Sequence, residues 1–316
     1  MDYPIVVATL DIGGTKIAGA LVNYEAENRI PSIQHVETRP TEADRGGGPV
    51  LATVCDEAHA LLEEARARRL VVRGIGVSTA GRVDAETGSI AYANDIMPDW
   101  AGQPLAERLR ETCDLPVTAL NDVQAHALGE GRWGAARGSK TCLMVAAGTG
   151  LGGAIITNGR LLRGRHGFAG EIGHMPCCQA AGIKCVCGGT GHLESVAAGS
   201  GIEDRYAELS GERKTGAEIA KLAREGDVQA RRVIMKAGLA LGEAIAGLTN
   251  ALDPDCVVLG GSVTKAGSAW RAAVQEGFER QIPDVQRGLP IVPADLGGYA
   301  PLIGAAEELL DTIGRD

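Results

Sequence analysis

No apolar run in the 316 residues approaches the roughly 20 that a membrane-spanning helix needs. The opening stretch, "MDYPIVVATLDIGG", has neither a basic leader nor a long apolar core, so no secretory signal is read and a cytoplasmic location is expected. Positive charge is scarce as well. Thirty-one Lys and Arg stand against 40 Asp and Glu, a formal net charge of −9, and no basic stripe is visible. Duplex binding leans on dense cationic side chains, so no nucleic-acid partner is expected, and no membrane partner either. The eight cysteines are not spaced like a disulfide framework. Four crowd between Cys177 and Cys187, a pattern that suggests a reduced compartment and a metal. Solenoid repeats are missing, and the Walker A pattern G-x-x-x-x-G-K-[ST] occurs nowhere.

What is present is an ordinary globular balance, 45% hydrophobic and 22% charged, at a length that suits two lobes with separate cores. The 45 glycines are unusual and mostly sit in short clusters between apolar runs. "PIVVATLDIGG" and "KIAGALVNY" read as a hairpin. "GPVLATVCDEAHALLEEARARR" has helical spacing and leads into the strand-like "VVRGIGVSTAG". "PVTALND" and "VQAHALGEGRWG" form a second strand–helix pair, and "TCLMVAAGTGLGGAIITNGRLL" repeats the strand–glycine–strand opening. A long helix is expected near 230–252, then a buried strand, "CVVLGGSV", and a last helix, "PLIGAAEELLDTI", that starts on proline. "RGGGPV" reads as a surface loop. The repeated opening implies two related α/β lobes, 1–118 and 119–300, with helix 301–316 folding back to complete the first.

"GTGLGG", Gly148 to Gly153, formally fits the dinucleotide pattern G-x-G-x-x-G, but that pattern must open a helix. Here the strand-like "AIITNGRLL" follows, which counts against the dinucleotide reading. What remain are hairpin turns whose backbone N–H groups and Thr hydroxyls can cradle phosphate oxygens. They are Gly13-Gly14-Thr15, followed by Lys16, and Gly148-Thr149-Gly150; a third turn, Gly260-Gly261-Ser262, could lay bare backbone against an adenine ring. Each could also be no more than a tight turn. Asp11, directly before the first loop, would repel a bare nucleotide but attract Mg·ATP, because the ion neutralises phosphate oxygens.

"LDIGGTK" resembles the first phosphate motif of the hexokinase/actin-like ATPase superfamily, and "EIGHMP…CVCGGTGHLES" resembles the signature of its ROK branch. The resemblance spans nearly the whole chain in order, through "LND", "LGGSV" and "PLIGAA". It implies a two-lobed α/β actin-like (ribonuclease H-like) fold with a central cleft, ATP and Mg²⁺ as cofactors, and a homodimer. It also implies a sugar kinase. Repressors of the family carry an added N-terminal DNA-binding domain; with the first strand expected within about five residues of Met1, no such domain is expected here.

Asp122 is the candidate base, which in the resembled kinases takes the proton of the sugar 6-hydroxyl as it attacks the γ-phosphate. Alternatively it only caps the following helix. Asn121, Glu171, His174 and Glu194 match family sugar contacts. Within "GVSTAGRVDAETG", Gly81, Arg82 and the later Asn94 match contacts of the N-acetylmannosamine kinases. Family glucokinases usually carry Pro-Gly in place of Ala80-Gly81 and Glu in place of Leu120. These differences favour N-acetylmannosamine over glucose, which stays as the alternative; a sugar-sensing regulator is the non-enzyme reading. His174, Cys185 and Cys187 match three of the family's four zinc ligands. The fourth position holds His192 instead of Cys, and Cys177 or Cys178 could replace it. Zinc accepts Cys₂His₂, and with four protein ligands it would be structural.

Overall fold

The computed structural model describes residues 4–27, 29–94 and 96–315. Two compact units are resolved, and each forms around its own sheet.

The first unit comprises Met1–Gly138, Gly159–Ala169 and Asp295–Asp316. In chain order its strands are β1 (Ile5–Ile12), β2 (Lys16–Tyr24), β3 (Ser32–Pro40), β4 (Val72–Thr79), β5 (Arg82–Val83), β6 (Ile90–Tyr92) and β7 (Val117–Asn121). Strand β10 (Arg160–Leu161) also belongs to it. The main sheet runs β3-β2-β1-β4-β7: β1–β2 is the antiparallel hairpin read from the sequence, closing at Ile12 and Ile17, while β4 and β7 lie parallel to β1. Side chains alternate across β1 as strand geometry requires. Val6, Ala8, Leu10 and Ile12 pack with α1 (Gly47–Ala67). Ile5 and Val7 join Ala306, Leu309 and Leu310 of α9 (Ala300–Ile313), so both faces are covered.

Helices α2 (Leu105–Cys113) and α3 (Asp122–Trp133) complete this unit. The crossing drawn at residue 118 falls inside it, because β7 is bonded in register to β4 and α3 packs on α9. "RGGGPV" is also not a surface loop. Gly47 begins α1 and is buried; a Cβ there would lie 2.0 Å from the Asp99 carbonyl oxygen, so close backbone packing demands the glycine.

The second unit comprises Ser139–Asn158 and Gly170–Ala294. Its strands are β8 (Thr141–Ala147), β9 (Leu151–Thr157), β11 (Cys256–Gly260) and β12 (Ile291–Pro293). β8 pairs antiparallel with β9 and parallel with β11, and β11 pairs parallel with β12. Helices α4 (Glu194–Ala197), α5 (Gly199–Ser210), α6 (Gly216–Glu225), α7 (Val228–Leu252) and α8 (Ser268–Gln281) pack around it. The expected long helix is there as α7, and its Val233, Ala237, Leu241 and Ile245 enter the core with Leu143 and Val145 of β8. Among the described residues, no helix is long and apolar enough to cross a membrane.

Candidate active site

In the first unit the glycine hairpin, Asp11 and Asp122 share the C-terminal ends of parallel strands, where α/β sheets place their ligand groups. Gly13 N–H donates to the Lys16 carbonyl at 2.9 Å, and Thr41 clamps the turn by donating Oγ1–H to the Gly13 carbonyl at 2.6 Å. Asp11 sits opposite Ser78 in the β1–β4 register and accepts its hydroxyl at 2.6 Å. Burial raises the Asp11 carboxyl above its ordinary value, against the Ser78 bond and the charges of Lys16 and His126.

Asn121 ends β7 and caps α3: its Oδ1 accepts Val123 N–H at 3.0 Å, while its Nδ2 donates to the Gly81 carbonyl at 2.8 Å. The capping position is therefore Asn121, and Asp122 is the first helical residue, although its Oδ1 also approaches Val123 N–H at 2.9 Å. Asp122 keeps solvent-accessible surface yet is recessed among protein atoms. Desolvation, with the charge of Asp11, pushes its carboxyl up to about 6; the Val123 N–H, Arg82 and His126 pull the other way. A carboxylate ringed by protein atoms loses bulk hydration while its tip stays reachable.

Gly81 requires its residue type: φ is +89° and a Cβ would lie 2.6 Å from the Tyr92 carbonyl. Arg82 follows, buried to 7% exposure, its guanidinium carbon 4.9 Å from the Phe168 ring centroid. Asn94 is exposed, its Oδ1 accepting Ile96 N–H at 3.2 Å.

In the second unit the other two glycine turns frame a cavity of about 480 Å³, a size that holds a nucleoside. Thr149 lies on one wall and Ser262 on another. Gly148 N–H closes its turn on the Gly150 carbonyl at 2.9 Å, and the Gly148 carbonyl accepts Gly199 N–H at 2.8 Å, fixing the turn to the start of α5. Gly260 is buried at the end of β11; Gly261 (φ +90°) would put a Cβ 2.2 Å from the Ala147 carbonyl. The sequence reading missed the remaining walls: Ser200, Glu203, Thr215, Gly216, Arg224 and Lys265. The capping box from Thr215 to Glu218 marks the start of α6, but nothing in it signals a ligand.

Glu171, His174 and Glu194 also lie in this unit. Glu171 starts a 3₁₀ turn over Ile172–His174, with its Oε2 3.6 Å from His174 Nε2. Glu194 Oε2 accepts Leu151 N–H at 2.8 Å, directly after the Gly-Thr-Gly turn. His174, Cys185, Cys187 and His192 converge with ligand atoms all within 4.8 Å of one another. Cys187 Sγ is 3.2 Å from His192 Nδ1 and Cys185 Sγ 3.9 Å from His174 Nδ1. Ligand atoms on a zinc tetrahedron are about 3.3–3.8 Å apart, so a small contraction would suit the ion. Cys177 and Cys178 both turn to the Gln179 side-chain oxygen, at 3.1 and 2.9 Å, and stand outside the group.

The fold is that of the actin-like ATPases, shared with solved ROK hexokinases. The model of the ROK family matches residues 7–311, and the chain belongs to that family. It is 34% identical over 310 residues to a glucokinase of Halalkalibacterium halodurans, covering 93% of this chain and 92% of that protein. It is likewise 34% identical over 301 residues to an N-acetylmannosamine kinase of Yersinia pseudotuberculosis, covering 94% and 96%. Among solved structures, a ROK hexokinase from Thermus thermophilus superposes with a TM-score of 0.85 at 31% identity, over 97% of this chain and all of that one.

Proposed function

We propose that this ATP-dependent sugar kinase phosphorylates the 6-hydroxyl of N-acetylmannosamine, with Asp122 as the base. What supports this role for Asp122 is the place of its carboxylate, directly after β7 and within charge range of Asp11 and Arg82, where desolvation pushes it up to about 6. Such a group is ionised at neutral pH and still basic enough to accept a hydroxyl proton as the oxygen attacks. Gly81, Arg82, Asn94 and Asn121 are the proposed sugar contacts of the first unit; Glu171, His174 and Glu194 are further candidate contacts, in the second. Within the second unit, the 480 Å³ cavity would hold the adenosine of ATP and Gly148–Gly150 its phosphates; Gly13–Lys16 is a further candidate phosphate turn, in the first unit.

Asp11 fits a hydrated Mg²⁺: its donors are hard oxygens, and its negative charge is felt at Asp122, so a cation there would relieve both. When bound, Mg²⁺ supplies charge neutralisation on the phosphate oxygens. Zinc is assigned to His174, Cys185, Cys187 and His192. With four protein ligands it would have no open position and would act structurally, holding the loop that carries His174 and Glu194. The second nitrogen of His174 faces Glu171, the arrangement by which a carboxylate orients a ligating imidazole.

The acceptor rests on "STAGRVD", on Leu120, wholly buried where family glucokinases carry Glu, and on the Yersinia relative. Glucose is the second reading, favoured by the Halalkalibacterium relative at the same identity. An ADP-release assay across glucose, mannose, N-acetylglucosamine and N-acetylmannosamine decides. The highest kcat/KM on N-acetylmannosamine is expected; a preference for glucose replaces the acceptor, and no ADP release with any sugar removes the kinase reading.

A further inference from the structure

The contacts assigned to the sugar in the first unit are all polar: the Gly81 backbone, Arg82, Asn94, Asn121 and Asp122. A hexose, however, also has an apolar C–H face, and sugar pockets must cover it or leave it wet. Ligand sites are mostly apolar, with a few placed polar groups. Two aromatic side chains stand beside Arg82. Tyr92 is its register partner across β5–β6, and Phe168 lies under its guanidinium. They are 47% and 48% exposed, while Arg82 between them is 7% exposed, an inversion of the usual burial order.

The Phe168 ring is held in place. Arg82 Nη1 donates to the Gly167 carbonyl at 3.4 Å, and the loop bends through Gly164 and Gly167, with φ of +69° and +72°. At its base Arg163 pairs with Glu308 of α9. The cation occupies one side of the ring and fixes its plane. The same arginine is close enough to Asp122 for each to feel the other's charge, and Asn121 bonds the residue before it. Base, cap, arginine and aromatic ring are thus successive links of one wall.

We propose that Phe168 is a substrate-binding residue that sets acceptor affinity, its open ring surface packing against the C–H face of the hexose. This rests on the sugar-kinase reading above and adds the apolar half of its recognition. Phe168→Ala is made and assayed with whichever hexose the wild type uses best. The expected result is a sugar KM raised about tenfold, with kcat and the KM for ATP within about twofold of wild type, the size that loss of one aromatic contact gives. Phe168→Trp should restore most of the affinity. An unchanged sugar KM overturns the proposal. So does a fall in kcat with a displaced acid limb of the pH profile, since the ring would then act only by propping Arg82 beside Asp122. The wild-type sugar panel fixes the acceptor separately, and Asp122→Asn tests the base separately, so failure of either reading is distinguishable from failure of this one.

Discussion

Replacing Asp122 by Asn is the most direct probe of the chemistry. The amide is nearly isosteric and its Oδ1 can still meet Val123 N–H, while the helix cap belongs to Asn121 and is untouched. The Asn121–Gly81 bond and the Arg82–Phe168 stack do not involve the carboxylate, so sugar binding should persist. What disappears is the proton acceptor. A positioned base contributes roughly 10²–10⁴-fold, or about 2.7–5.5 kcal/mol of barrier, and kcat should fall by that factor while sugar affinity by calorimetry changes little. In the wild type, kcat/KM should drop about tenfold per pH unit below about 6, where the carboxyl protonates, and level off above it. The variant should lack that limb. Its stability should move as well. A carboxyl raised in the folded state costs stability at pH values above its folded pKa, and that cost fades as pH falls toward the unfolded value. Asp122→Asn should therefore melt slightly higher than wild type at pH 7.5, with the gap closing toward pH 4. A variant within tenfold of wild-type kcat, or one that keeps a limb near 6, refutes Asp122 as the base.

Cys185→Ser should abolish zinc binding and lower the melting temperature, His192→Cys should retain one equivalent of zinc by elemental analysis, and Cys178→Ser should leave the zinc content unchanged; retention by Cys185→Ser would refute the assigned ligand set. Ala217→Trp, placed in the wall of the second unit's cavity, should raise the KM for ATP at least tenfold with the sugar KM unchanged, and steady-state kinetics at saturating sugar will show whether it does. Gly304→Ala should destabilise by about 3 kcal/mol or more in urea unfolding, because its Cβ would fall 1.7 Å from the Ala125 carbonyl where α9 crosses α3; a neutral result would refute that helix contact.

The sheets were legible because β-branched runs broken by Gly-Gly-Thr and Gly-Thr-Gly admit few alternatives to a hairpin. The same holds for α7, whose apolar stripe recurs over 25 residues. "RGGGPV" misled because composition does not show what a residue will touch: Gly47 is glycine on account of a backbone oxygen 52 positions away, at Asp99. The crossing at 118 misled for a related reason, since strand adjacency of β4 and β7 is a long-range fact. Among the candidate residues, Asp122, the glycine turns and the Cys/His group suggest their proposed chemistry by residue type. The cavity walls on α5 and α6 do not, because Ser200, Glu203 and Thr215 are ordinary surface residues until the helices place them around one space. Phe168 was passed over likewise: only the fold shows Arg82 against it.

Glu194 shows how the second unit can tie its parts together. One carboxylate oxygen accepts the N–H of Leu151, which ends the Gly148–Gly150 turn; the other lies 4.0 Å from Cys185 Sγ, within the Cys/His group. A Cβ on Gly150 would come 2.9 Å from that same carboxylate, so the turn is free of side chain where Glu194 approaches. Two isolated bridges, Pro176 with His192 and Lys184 with Thr190, hold the loop that bears the Cys/His residues, and α4 begins at Glu194 two residues after His192. Under the proposed metal, this short helix start would be fixed from one side by the ion's ligands and from the other by the turn. The location of a structural ion then has a physical reason. It would stiffen the few residues through which the proposed sugar contact Glu194 and the proposed phosphate turn share one hydrogen bond. A four-residue helix could not supply that rigidity from its own backbone, because helix nucleation is unfavourable at such a length.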